Sequence, residues 1–101
     1  MISADKWYEQ GKRLFGPDMR DWKFVCPVCG YVAKAQEWID AGAPQNAVGF
    51  SCIGRWAGAK REAFGGKGPG PCDYAGGGLF RLNPVKVYNS NTAMFKFAEE
   101  Q

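Results

Sequence analysis

Cys26-Pro27-Val28-Cys29-Gly30 is the segment that most restricts what this chain can fold into. Two residues between the thiols let both sulfurs reach one ion at about 2.3 Å, while backbone N–H groups of the turn point at them. Gly30 supplies the positive φ that such a turn needs after its second cysteine. A structural zinc site takes four ligands. The 101 residues hold four cysteines and no histidine, so the remaining ligands are expected to be Cys52 and Cys72. The full spacing is C-x2-C-x22-C-x19-C, in which the second pair is not a compact C-x2-C. We read that second half as split by an insertion, with Cys52 and Cys72 each at the end of a strand.

Other uses of the cysteines remain open at this level. A thioredoxin-like redox pair lacks its βαβ context here. Two disulfides would require an oxidising compartment, and a reducing cytoplasm is the expected one. Cys52 and Cys72 as buried free thiols are a third possibility. With four thiolates on one zinc, no position is left for water, so the ion would be structural. A metal suits the composition: 46% of residues are hydrophobic and 15% aromatic, but 14 glycines and six prolines limit the core. The missing histidine also removes Ser-His and Cys-His nucleophile pairs. No acid–base constellation stands in their place, so a non-enzymatic protein is expected. Nowhere do more than three apolar residues run together, which excludes a transmembrane helix.

A helix is expected over residues 3–15, capped by Ser3, with Trp7, Gly11, Leu14 and Phe15 on one face and Gly16-Pro17 as its stop. Phe24-Val25 and Tyr31-Val32-Ala33 read as short strands on either side of the knuckle. A second helix, Ala35 to Ala41, should turn Trp38 and Ile39 inward and close on Gly42. Phe50 to Ile53 and Leu79 to Leu82 read as further strands, and Trp56 to Phe64 as a helical turn or two. Gly76-Gly77-Gly78 marks a tight turn or a close backbone approach. The period-two runs around Asn89-Ser90-Asn91 predict a hairpin burying Val85, Val87, Phe95 and Phe97 on one face. The whole is one domain, residues 1–101.

Eleven of the 25 residues from Gly54 to Gly78 are glycine or proline. Within it, Arg55, Lys60, Arg61 and Lys67 against the single Glu62 give the segment from Arg55 to Lys67 a charge of +3, the same as the net charge of the whole chain. A basic, glycine-rich insertion at about 54–71 could cradle a phosphate on backbone N–H groups, with arginine binding it bidentately and Trp56 stacking on a base. It is neither a P-loop nor a G-x-G-x-x-G motif: Arg61 and Gly68 break the first, Pro71 the second. Alternatively, Trp56 and Phe64 fold inward and the insertion only covers the metal.

Leu14-Phe15-Gly16, the Phe24 to Gly30 knuckle, Phe50-Ser51-Cys52-Ile53-Gly54-Arg55 and the run Gly68 to Phe80 together resemble a family of small proteins encoded by bacteriophages and prophages. The resemblance covers about Trp7 to Phe97. It implies a phage product in the bacterial cytoplasm and brings no established activity. The expected fold is therefore a small zinc-ribbon-like α+β domain: an antiparallel sheet, an N-terminal helix, a short middle helix and a C-terminal β-hairpin. The expected function is binding of a nucleotide or nucleic acid through Arg55, Trp56, Lys60, Arg61 and Lys67, countering host defence. The alternative is an adaptor or inhibitor that docks on a host protein. No membrane partner is expected.

Overall fold

In a computed structural model, which describes residues 2–78, 81–88 and 92–98, the first helix forms as its caps dictate. The Ser3 hydroxyl accepts the Lys6 N–H at 3.2 Å and starts α1 (Ala4–Phe15). Asp5 in the first turn and Lys12 and Arg13 in the last complement the helix dipole. Gly16, at φ 98°, ends it by donating its N–H to the Lys12 carbonyl. The second helix, α2 (Ala35–Asp40), closes on Gly42 as expected. Gly42 has φ 83°, its N–H reaches the Ile39 carbonyl, and the Ala43 N–H reaches Trp38, both at 3.0 Å. That pair of bonds is a Schellman cap.

Two three-stranded sheets complete an α+β fold. One is antiparallel, with β2 (Lys23–Val25) between β3 (Val32–Lys34) and β6 (Lys96–Phe97). The other is mixed, with β4 (Val85–Tyr88) antiparallel to β5 (Thr92–Met94) and parallel to β1 (Ile2–Ser3). The core lies under α1 and α2 and is largely aromatic. Trp7 and Trp22 meet edge to face at 5.5 Å between ring centroids, and Phe97 stacks on Trp7 and on Phe24, both at 5.3 Å. The indole N–H of Trp22 donates to the Gly16 carbonyl and that of Trp38 to Ser51, each at 3.0 Å, so these rings are buried with their donors satisfied. Gly11 lets α1 lie on Trp22: a β-carbon there would stand 2.5–2.7 Å from the indole.

Several expectations need correction. Phe50 to Ile53 is a turn. Gly49 takes φ 65°, the N–H groups of Phe50 and Ser51 both reach the Ala47 carbonyl, and Ile53 is already helical at φ −61° and ψ −22°. Two of the amides a ladder would use, those of Phe50 and Ser51, are spent locally. A four-residue helix, α3 (Gly54–Ala57), follows and stops at Gly58, where φ is 95°. Neither Cys52 nor Cys72 therefore ends a strand. Arg81 and Leu82 form no strand either: the Leu82 N–H donates to the Tyr74 hydroxyl at 2.8 Å. Residues 79 and 80, and the expected turn at 89–91, lie outside the described residues.

Ile39 points outward. Ala35 and Trp38 set the buried line of α2, and Ile39, one step round the helix, falls at its edge, 51% exposed. The C-terminal strands pair in a hairpin register, but Val85 and Val87 face Met94 and Thr92, not the phenylalanines. At Phe95, whose N–H donates to Gly49 at 2.7 Å, the chain leaves that sheet, and Phe97 pairs with Phe24 in the other. Val87, Phe95 and Phe97 are buried; Val85 is only half-buried. Around Gly76 both readings apply. The Gly78 N–H closes a turn on Ala75, and a β-carbon at Gly76 would strike the Phe50 carbonyl.

Candidate metal centre

The knuckle hangs from the β2–β3 ladder. The Cys26 N–H donates to Tyr31 at 3.1 Å, the Gly30 N–H returns to the Cys26 carbonyl at 2.9 Å, and Gly30 adopts the expected positive φ of 77°. The opposite half is built without a strand. The Cys52 N–H donates to the Tyr74 carbonyl at 2.9 Å, and the Cys52 carbonyl accepts the Arg55 N–H at the entry to α3. The Cys72 N–H points at the Cys52 sulfur at 3.4 Å. Two glycines allow these segments to close. A β-carbon at Gly54 would meet the Cys72 carbonyl, and one at Gly70 would meet the Cys29 sulfur.

All four sulfurs lie within 4.8 Å of one another, with Cys26 to Cys72 at 3.9 Å and Cys29 to Cys52 at 3.8 Å. None is in a disulfide. Four sulfurs around a tetrahedral ion at about 2.3 Å would be separated by about 3.8 Å, so the cluster could hold a metal ion as it stands. Cys26, Cys52 and Cys72 are buried, and Cys29 is half-exposed. The Cys26 thiol, hydrogen-bonded to Cys52, holds the Cys52 pKa down to about 5, helped by the N–H groups of Gly54 and Cys72. The same bond, then burial, pushes Cys26 up. Burial, ahead of the Cys52 charge, pushes Cys72 up to about 12. A bound dication would favour the thiolate form of its cysteine ligands.

The basic residues of the insertion are placed differently from one another. Arg61 is turned onto its own loop, with Nε donating to the Glu62 carbonyl at 3.0 Å, Nη1 to Gly68 at 3.2 Å and Nη2 to Ala63 at 3.4 Å. The loop is pinned further by the Ala63 N–H on the Asp73 carboxylate at 2.6 Å and the Lys60 N–H on Pro71 at 2.8 Å. Arg55 donates to the Asp73 carbonyl at 3.2 Å and its guanidinium lies 5.8 Å from the Trp56 ring centre. Lys60 and Lys67 are exposed. A depression of about 470 Å³ beside Lys60 is also lined by Glu37 and Asp40, so its charge is mixed. Sequence reasoning missed a larger feature, an apolar trough under α1 and α2. Its signal was Ile39, whose outward face only the tertiary packing decides.

Together the two sheets, the helices and the four-cysteine cluster define a small α+β protein with a candidate metal centre. The model of the VVA0879-like family matches residues 3–98, and the chain belongs to that family. The match takes in all four cysteines. No curated protein and no solved structure matches the chain significantly. Among the described residues no helix is long and apolar enough to cross a membrane.

Proposed function

We propose that the chain is a non-enzymatic, zinc-ribbon-like binding protein whose fold is locked by one structural zinc ion on Cys26, Cys29, Cys52 and Cys72. The observation that carries this is the spacing of the sulfurs, two of whose separations match the edge of a tetrahedral thiolate site. Four thiolates fill the coordination sphere and leave no place for a reacting water. Zinc content by elemental analysis and native mass spectrometry tests it: one zinc per chain is expected, and folded, soluble protein without stoichiometric metal would overturn it.

The surface favours a protein partner, because large apolar side chains stand exposed around one trough while Arg61 is committed to its own loop. The resemblance to phage-encoded proteins would make that partner a host protein of the bacterial cytoplasm. A nucleotide or nucleic-acid ligand keeps one specific support, the Arg55 guanidinium beside Trp56 with exposed Lys60 and Lys67 nearby in sequence. In that case the purified protein should carry a raised 260/280 nm absorbance ratio, and Trp56→Ala should lower affinity. A ratio at the value set by its tryptophans and tyrosines speaks for the protein partner.

A further inference from the structure

The four sulfurs of the cluster are unequally sheltered. Cys26, Cys52 and Cys72 are 2%, 1% and 0% exposed, whereas Cys29 is half-exposed. Gly70, which has no side chain, lies against the Cys29 sulfur where a β-carbon would collide with it. Gly70 also lines the depression of about 470 Å³, together with Tyr31 and Pro71. A small solute therefore reaches Cys29 before the other three. The knuckle sulfurs are also matched across the cluster, Cys29 with Cys52 at 3.8 Å and Cys26 with Cys72 at 3.9 Å.

We propose that the cluster is a redox switch: a peroxide oxidises Cys29, Cys52 converts the product to a disulfide, and the zinc is released. The proposal rests on the zinc reading above and adds the regulation of that site. A zinc-bound cysteine is a thiolate, the form that attacks peroxides, and oxidation follows exposure. In the first step the Cys29 sulfur attacks one oxygen of hydrogen peroxide. The S–O bond forms, the O–O bond breaks and hydroxide leaves, giving the sulfenic acid. In the second step the Cys52 thiolate attacks the Cys29 sulfur. The S–S bond forms, the S–O bond breaks and a second hydroxide is expelled. The two sulfurs together lose two electrons, the peroxide gains them, and two protons from solvent turn the hydroxides into water. Zinc keeps only Cys26 and Cys72 of the four ligands a structural site takes, and leaves as the dication. The disulfide ties the knuckle to the same opposite half as the metal did, so reduction restores a site that zinc can refill.

The test starts from full-length protein purified under reductant, its zinc content measured and the reductant then removed. Less than one equivalent of hydrogen peroxide is added beside a chromogenic zinc chelator. Zinc should appear one for one with the peroxide consumed, and far more slowly with chelator alone. Alkylation and peptide mass spectrometry should then find a Cys29–Cys52 bridge, with Cys26 and Cys72 alkylated, and dithiothreitol with zinc should restore the metal content. Cys29→His keeps four zinc ligands without a sulfur at the exposed corner, so it should load zinc and lose the peroxide-driven release. If that variant takes up no zinc, the mapping on the wild-type chain decides alone. Zinc retained through peroxide treatment, zinc lost without a disulfide, or a bridge between Cys26 and Cys29 or any other pair overturns the proposal. So does a zinc-loaded Cys29→His chain that still releases its metal to peroxide at the wild-type rate. A reduced chain holding no zinc at the outset defeats the zinc reading and this proposal with it, whereas a zinc-loaded chain inert to peroxide defeats this proposal alone.

Discussion

The two halves of this molecule are held by different forces. Trp7 and Phe97 meet each other and both touch the rings of Trp22 and Phe24, and the sheets and helices close on these four rings. Around the cysteines, the segment from Gly58 to Gly78 contains no helix or strand, and its ordering rests on side chain to backbone bonds and on the sulfurs. An aromatic cluster tolerates loss of a part by relaxing, whereas a tetrahedral metal site loses its function when one ligand is removed. Stability should therefore be graded on the ring side and all-or-none on the cysteine side.

Removing a ligand should give the largest effect. Cys26→Ser or Cys72→Ser should leave insoluble or unfolded protein, since a structural zinc contributes on the order of 10–16 kcal/mol in small domains. Circular dichroism with elemental analysis checks this, and a Cys72→Ser variant that behaves as wild type would remove the contrast. Trp22→Ala should cost about 3–5 kcal/mol in chemical denaturation yet retain one zinc per chain. If the metal is lost with the ring, the two halves are one cooperative unit and the comparison fails.

Gly70→Ala should have a smaller, local effect. The new methyl would press on the Cys29 sulfur, costing about 1–3 kcal/mol and speeding zinc transfer to a chelator, with the aromatic half unchanged. Arg61→Ala should cost roughly 1–2 kcal/mol through the carbonyls it leaves without donors, and Arg61→Lys should not restore it, because an ammonium lacks the fork that reaches three of them. Arg55→Ala should change melting far less. The smallest effect belongs to Asp18, whose carboxyl Arg20 holds below its usual range. The folded pKa is the lower one, so this contribution is present above about pH 4 and lost as pH falls through the folded value. On a surface pair whose side chains are 65% and 43% exposed it should be barely detectable in an acid titration of Asp18→Asn against wild type.

What could be read from the sequence follows the same division. The knuckle, α1, the cap at Gly42 and the pairing of β4 with β5, though not its register, were legible because each rests on a local rule: thiol spacing, an N-cap serine, a positive-φ glycine, alternating residues. That the four cysteines gather at one place followed from counting. The path by which Cys52 and Cys72 arrive was not legible, because turn bonds on Ala47 and a strand-free approach through Gly70 leave no periodic trace. Nor was the fate of the arginines. Arg55 and Arg61 carry the same charge in the sequence, and only the fold shows that one faces an indole while the other binds the carbonyls of its own loop. The switch of Phe97 between sheets escaped for a similar reason, since alternation gives a strand's faces and not its neighbour.

That switch sets an order of events during synthesis. The mixed sheet pairs residues 2–3 with 87–88, and the antiparallel sheet pairs 24–25 with 96–97, so neither is complete until those later residues are made. All four clustered cysteines, in contrast, precede residue 73. A nascent chain can gather its cysteines around an ion while Trp7, Trp22 and Phe24 still wait for Phe97, and loop closures made early shorten the search left for late ones. If the proposed zinc binds, the metal site is the first landmark of folding and the aromatic core the last. A cell short of zinc would then release chains whose rings have the correct partners in reach but no fixed frame on which to meet them.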